Sequence, residues 1–166
     1  MYRKILVPLD GSSLAEKALA PALDLARLAS AEIVLVRASD QAALMVPMSG
    51  PYPPGPLPMD LVTRLRHEAE RYLASVAQTV REAGLVVTWQ VQEGHPAEVV
   101  LETARSEGAD LIVMASHGRT GLSRFLLGSV AEKVLRRASC QVLLVPARVG
   151  EPIESERAAS DSAAVL

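Results

Sequence analysis

Two glycines and a serine in the second half of the chain have the types and spacing of a phosphate-binding loop. Gly118 and Gly128 are separated by nine residues, and Ser129 follows the second glycine where a helical pattern begins. Glycine tolerates positive φ and lets a ligand touch the main chain. The free N–H groups and the dipole of a helix start attract negative charge. The pattern indicates a nucleotide phosphate site, although an ordinary strand-to-helix loop would have the same outline.

Several charged side chains could serve such a site. Arg119 and Arg124 lie between the glycines, and a guanidinium matches phosphate oxygens in geometry and charge. Both could equally be solvated loop arginines. Asp10 follows the first predicted strand and has the alternative role of capping the first helix. His117 is not assigned a catalytic role, because the sequence supplies no nucleophile with a base and an orienting acid around it.

Two common nucleotide-binding motifs are absent from the sequence. A Walker loop requires a lysine after its last glycine, and Gly128 is followed by Ser129 instead. The first strand ends in a turn with one glycine, Gly11, which does not make a dinucleotide fingerprint. The three histidines lie far apart without metal-ligand spacing, so we expect solvated or capping roles for them.

Length and composition limit the possible functions. The chain has 166 residues, 49% of them hydrophobic and 22% charged, which fits one domain with a proper core. Its net charge of −2 and its few aromatic residues argue against nucleic acid as a partner. No apolar run reaches the roughly 18 residues of a membrane span. The single Cys140 and the lack of a signal segment predict a cytoplasmic location.

Short aliphatic runs and helical patterns alternate along the chain. Strands are predicted at residues 4–9, 32–38, 85–91, 111–115 and 141–145, and helices at residues 14–29, 60–84, 96–108 and from 129 onward. Pro21 should bend the first helix. In the last helix, Val130, Val134 and Leu135 are expected to face the core. This alternation predicts an α/β fold, a doubly wound parallel sheet with helices on both faces.

Two segments lack a helical or strand period. Residues 39–59 are rich in proline and methionine and predict a long loop, either a lid or partner surface or a plain packed insertion. Residues 148–166 are mostly small and polar and predict a flexible tail. The domain is therefore expected to span residues 1–147.

Three sequence segments resemble a known family. The opening Ile5-Leu6-Val7-Pro8-Leu9-Asp10-Gly11-Ser12, the turn Gly94-His95-Pro96, and the run from Met114 through Gly118 to Gly128-Ser129-Val130 are similar to universal stress proteins. In the nucleotide-binding branch of that family the signature is a glycine, two residues, a glycine, nine residues, then Gly-Ser or Gly-Thr. Here Ala115 replaces the first glycine.

The resemblance implies a fold and a site. The family's strand order is 3-2-1-4-5, which places the ends of strands one and four side by side, where ligands of open parallel sheets bind. By similarity, Asp10 would lie near the ribose or a phosphate-bound divalent ion. The residues implied to surround the nucleotide are Pro8, Asp10, Ala38, Met114, Ala115, Gly118, Arg124, Gly128, Ser129 and Val130.

The resemblance also implies a function. It is that of a regulatory stress-response homodimer that binds ATP, or ADP or AMP, with or without Mg²⁺ or Mn²⁺. Strand five would join the dimer, with Val142 and Val145 among the contacts. Two alternatives stay open: a slow ATP hydrolase or self-phosphorylating enzyme in which Asp10 holds the metal ion, and a nucleotide-free protein that uses its 39–59 loop to contact a protein partner.

Overall fold

The described part of the chain contains five strands and five helical segments, and at least one helix separates each strand from the next. The computed structural model describes residues 1–40, 58–116 and 127–146. The strands are β1 (Lys4–Pro8), β2 (Glu32–Ser39), β3 (Val87–Glu93), β4 (Leu111–Ala115) and β5 (Gln141–Val145). The helices are α1 (Ser13–Glu16), α2 (Leu19–Ala29), α3 (Met59–Glu82), α4 (Pro96–Glu107) and α5 (Ser129–Arg137). Most of the 39–59 loop, the segment 117–126 and the tail lie outside the described residues.

The strands make one parallel sheet with the order β3-β2-β1-β4-β5. This confirms the predicted order and the doubly wound fold. β1 lies at the centre, where Leu6 pairs with Val34 on one side and with Ile112 on the other. The strands β1 and β4 are buried on both faces of the sheet. Their sequences are therefore continuous aliphatic runs rather than alternating apolar and polar residues.

Each face of the sheet carries its own hydrophobic cluster. On one face, Ile5, Val7 and Leu35 pack with buried residues of α1, α2 and α3. On the other, Leu6 and Val34 pack with residues of α4 and α5. The side chains of successive strand residues point to opposite faces, so a single apolar strand supplies both clusters.

The first predicted helix is divided into α1 and α2 at Lys17 and Ala18. A proline at position 21 cannot donate to the carbonyl of Lys17, and its ring crowds that carbonyl. The expected disturbance is therefore present, but it lies one turn before Pro21 rather than at it. Pro21 itself lies in the first turn of α2, where a missing N–H costs little.

The buried face of α5 differs from the prediction at one residue. Ala131 and Val134 are buried, whereas the Leu135 side chain is half exposed. Residues 131 and 134 are three apart and share one face of the helix, while residue 135 is rotated about 100° from its neighbour 134. The expectation that Leu135 faces the core was wrong.

The carboxylate of Asp110 fastens the start of β1 to the start of β4. Its Oδ2 accepts hydrogen bonds from the backbone N–H groups of Arg3, at 2.7 Å, and Lys4, at 3.0 Å. The Asp110 N–H donates in turn to the Lys4 carbonyl, and the Lys4 ammonium lies 3.1 Å from Glu107. The hydrogen bonds from Arg3 and Lys4 hold the pKa of the Asp110 carboxyl below its usual range.

We expect Leu73→Ala to destabilise the protein by about 2–5 kcal/mol, because Leu73 is fully buried between α3 and the sheet and its removal leaves a cavity. Urea unfolding measures the free energy of unfolding. Leu28→Ala is the matched control, since the Leu28 side chain is 80% exposed. Equal losses in the two variants would contradict the assigned packing of α3.

Asp110→Asn is expected to lower the urea midpoint at neutral pH and to lower it much less near pH 2. A carboxyl with a depressed folded-state pKa stabilises the fold above its unfolded pKa of about 4, and that contribution is lost as the pH falls through the folded value. Asp24→Asn serves as the control, because Asp24 bonds to exposed Arg27 within its own helix. A difference between wild type and Asp110→Asn that stayed constant with pH would contradict this role.

Candidate functional site

A cavity of about 500 Å³ lies at the carboxyl ends of β1, β2 and β4. Because β1 and β4 are neighbours whose connections run to opposite faces, their ends diverge and leave a crevice there. Its size falls within the usual range of small-molecule sites. Its walls are Pro8, Leu9, Asp10, Ala15, Val36, Arg37, Ala38, Ser39, Asp40, Leu65, Glu68, Ala69, Pro96, Val100, Met114, Ala115, Gly128, Ser129, Val130 and Ala131.

Eight of the ten site residues implied by the resemblance lie on the wall of this one cavity. They are Pro8, Asp10, Ala38, Met114, Ala115, Gly128, Ser129 and Val130. The other two, Gly118 and Arg124, fall outside the described residues, as do His117 and Arg119. Residues from four separate segments of the sequence therefore meet at one place, and their role in binding stays a prediction.

The residues of the first turn of α5 line the cavity. The first hydrogen bond inside this helix runs from the N–H of Glu132 to the carbonyl of Gly128, so residues 129–131 have no acceptor within the helix. Gly128 is extended, with φ −60° and ψ 144°, and its own N–H donates to the Ser116 carbonyl at 2.9 Å. Gly128 thus has no need of positive φ, and the donors available to an anion come after it.

Ala115, which stands where the family signature has its first glycine, is the last residue of β4. It is buried, and it lies opposite Val145 in regular parallel pairing. The one non-glycine residue with positive φ in the described part of the chain is Ser30. An alanine therefore fits the backbone at position 115 without strain, and the departure from the signature leaves this wall of the cavity intact.

Asp10 organises the turn between β1 and α1. Its Oδ1 accepts hydrogen bonds from the Ser12 N–H at 2.8 Å and from the Ser12 hydroxyl at 2.6 Å. Ser12 is the N-cap of α1, and its hydroxyl oxygen accepts from the Ala15 N–H. Asp10 does not cap the helix directly, which was the alternative role. It holds the capping serine while lining the cavity.

The wall formed by the first half of α3 and by Arg37 of β2 contains no residue that was predicted from the sequence. Leu65, Glu68 and Ala69 come from the first half of α3, and Arg37 comes from β2. Arg37 could have been noticed, because it places a charge directly after the buried aliphatic residues 33–36 of β2. The α3 residues follow an ordinary helical period and give no separate signal.

The described lining is more acidic than basic. Asp10, Asp40 and Glu68 supply carboxylates, and Arg37 supplies a guanidinium. Within residues 1–40, 58–116 and 127–146, no group of three or more histidine, cysteine or acidic side chains is arranged to hold a metal ion by itself. None of the helices described is long and apolar enough to cross a membrane.

Comparisons with known proteins show what this chain is similar to. It is 35% identical over 147 residues to the universal stress protein MJ0531 of Methanocaldococcus jannaschii, which covers 87% of this chain and 82% of that protein. It is 31% identical over 147 residues to the universal stress protein YxiE of Bacillus subtilis, covering 87% of this chain and 99% of that one.

Solved structures show the same arrangement. The structure of the protein MJ0577 matches 91% of this chain and 99% of its own, with 31% identity and a TM-score of 0.77. A universal stress protein solved in complex with cAMP matches 87% of this chain and 97% of its own, with 25% identity and a TM-score of 0.63. A model of the universal stress protein family matches residues 1–146. This chain therefore belongs to the universal stress protein family.

Proposed function

We propose that this protein binds an adenine nucleotide, ATP or its products ADP or AMP, in the cavity at the carboxyl edge of the sheet and acts as a regulatory stress-response protein. The observation that carries the proposal is the meeting of the α5 helix start with the Asp10 turn and an apolar wall in one cavity. The related universal stress protein that was solved with cAMP supports an adenine nucleotide as the ligand class.

The cavity has distinct surfaces for the parts of such a ligand. Ala38 and Met114 offer apolar contact for the base on the side of the sheet that α4 covers. The Asp10 carboxylate can accept from a ribose hydroxyl or orient a hydrated divalent ion. The N–H groups of Ser129 and Val130 can donate to phosphate oxygens, assisted by the positive end of the α5 dipole.

The carboxylates on the wall affect how a phosphate can be accommodated. Phosphate charge near Asp10, Asp40 and Glu68 is unfavourable unless a cation lies between them. A Mg²⁺ or Mn²⁺ ion carried by the nucleotide would supply that charge, since such ions bind through one or two carboxylates together with phosphates. Nucleotide occupancy would then alter the surface around the cavity mouth, which is the proposed regulatory signal.

Gly128→Val is expected to weaken ATP affinity by about tenfold to ten-thousandfold, which corresponds to losing one or two charge-assisted hydrogen bonds. The backbone of Gly128 is extended, so valine fits it without strain, and the branched side chain instead obstructs access to the N–H groups of residues 129–131. Titration calorimetry with ATP and Mg²⁺ on folded protein measures this change.

Gly108→Ala is the control for that experiment. Gly108 ends α4 in the left-handed conformation with φ +64°, away from the cavity, so alanine there should cost stability and spare ATP affinity. Unchanged ATP affinity in folded Gly128→Val would show that the start of α5 does not hold phosphate. Absence of ATP binding by the wild-type protein would remove the proposed function itself.

We also propose that two copies associate through β5, an edge strand of the described sheet. An edge strand offers unpaired N–H and C=O groups to a second strand. Val142 is half-buried and Val145 is almost fully buried, so Val145 would meet a partner through its main chain. The exposed large apolar side chains of β5 and α5 are Leu143 and Leu135.

Leu143→Glu should convert the proposed dimer to monomers, because the pairing of two edges would bring like charges together. Sedimentation velocity at about micromolar concentration, which lies within the usual affinity range of such interfaces, measures the mass. Leu28→Glu, on the exposed side of α2, is expected to leave the mass unchanged. A monomeric wild-type protein would contradict the proposed association.

A further inference from the structure

A second, smaller cavity of about 360 Å³ shares two wall residues with the first. Arg37 and Glu68 border both cavities, and Gly11, Ser12 and Tyr72 complete the smaller one. Arg37 therefore borders both the proposed nucleotide cavity and a pocket that is lined by the turn after β1. No role was assigned to it by the sequence or by the proposed nucleotide contacts.

The guanidinium of Arg37 is held by the ring of Tyr72. Its Cζ lies 5.2 Å from the centre of that ring, which is within the range of a cation–π interaction. The Tyr72 hydroxyl donates to Glu16 Oε1 at 2.9 Å, so the ring is fixed from α1 as well as from its own helix. Burial, together with the bond to Glu16, raises the pKa of Tyr72, and the phenol stays a donor at neutral pH.

The same guanidinium covers the turn that carries Asp10. A Cβ added to Gly11 would lie 3.1 Å from Arg37 Nη1 and 3.4 Å from Cζ and Nη2. Gly11 has φ +85°, a conformation that other residues rarely adopt. The close approach and the positive φ both depend on glycine. In the same turn, Asp10 accepts two hydrogen bonds from Ser12.

We propose that Arg37 is a positioning residue of the nucleotide cavity. The Arg37 guanidinium stacks on the Tyr72 ring and lies close to Gly11, and these contacts fix the turn after β1. That turn sets the direction in which Asp10 presents its carboxylate to a ribose hydroxyl or a hydrated divalent ion. The inference rests on the proposed function. It adds that correct placement of Asp10 depends on a contact between β2 and α3, two elements that do not carry Asp10.

Two substitutions at Tyr72 separate the stacking from the hydrogen bond. Tyr72→Leu removes both, and we expect ATP affinity in the presence of Mg²⁺ to fall about threefold to tenfold, the range of one cation–π contact. Tyr72→Phe keeps the ring under Arg37, so most of the affinity should be retained. Circular dichroism and thermal melting confirm that each variant is folded. Should Tyr72→Leu not fold, Arg37→Met removes the guanidinium directly and carries the same expectation.

A double-mutant cycle with Asp10→Ala distinguishes positioning from general loosening of the fold. If Arg37 acts through Asp10, the loss caused by Tyr72→Leu disappears when Asp10 is already alanine. Arg105→Met, which removes a surface arginine paired with Glu102 on α4, is the control and should leave affinity unchanged.

Several results would overturn the inference. They are wild-type affinity in folded Tyr72→Leu or Arg37→Met, an equal loss in Tyr72→Phe and Tyr72→Leu, and a loss that persists in the Asp10→Ala background. Each of these three results can be measured only if the wild-type protein binds ATP. They can therefore be distinguished from failure of the proposed function, in which the wild-type protein binds no ATP. A wild-type protein that binds no nucleotide removes both proposals together.

Discussion

The pairing of β1 with β4 is the constraint on which the rest of this structure depends. These two strands lie side by side although most of the chain separates them, and their connections leave towards opposite faces of the sheet. At one end Asp110 closes the pair with hydrogen bonds to Arg3 and Lys4. At the other end nothing in the geometry of the sheet closes it, so a crevice forms. The same strand pair is therefore closed by hydrogen bonds at its amino end and open to a ligand at its carboxyl end.

The chemistry of the open edge comes from backbone as much as from side chains. The start of α5 contributes N–H groups that helix geometry leaves without partners, and the turn after β1 contributes a carboxylate held by its own serine. Helix α4, which contributes Pro96 and Val100 to the cavity wall, forms ion pairs with α5. The carboxylate of Glu98 on α4 lies 2.8 Å from the side-chain nitrogens of Lys133 and Arg137. Surface ion pairs therefore link α4 and α5, the two helices that border the cavity on this face of the sheet.

The sequence predicted the elements well where periodicity alone decides them. β5 has the expected bounds, and α4 begins at the expected residue 96 and ends one residue before the predicted 108. Leu135 was misassigned because two adjacent leucine and valine residues on a short helix give no clear phase, and only packing against the sheet resolves it. Arg37 and Tyr72 were missed for a different reason. Their contact joins residues 35 positions apart whose meeting is set by the tertiary placement of α3, which no local pattern encodes.

The two halves of α3 contribute to different parts of the molecule, the first half to the cavity and the second half to the hydrophobic core. With 24 residues it extends about 36 Å, which is longer than the strands it covers. Its later residues Leu73, Ala77 and Val80 belong to the hydrophobic core, whereas Leu65 and Glu68, nearer its start, border the cavity without joining that core. Replacements in the early turns can therefore reshape the cavity while the later turns keep the fold. Substitutions in the first turns of such a helix can change which ligand the cavity accepts, because the core residues that stabilise the fold lie in its later turns.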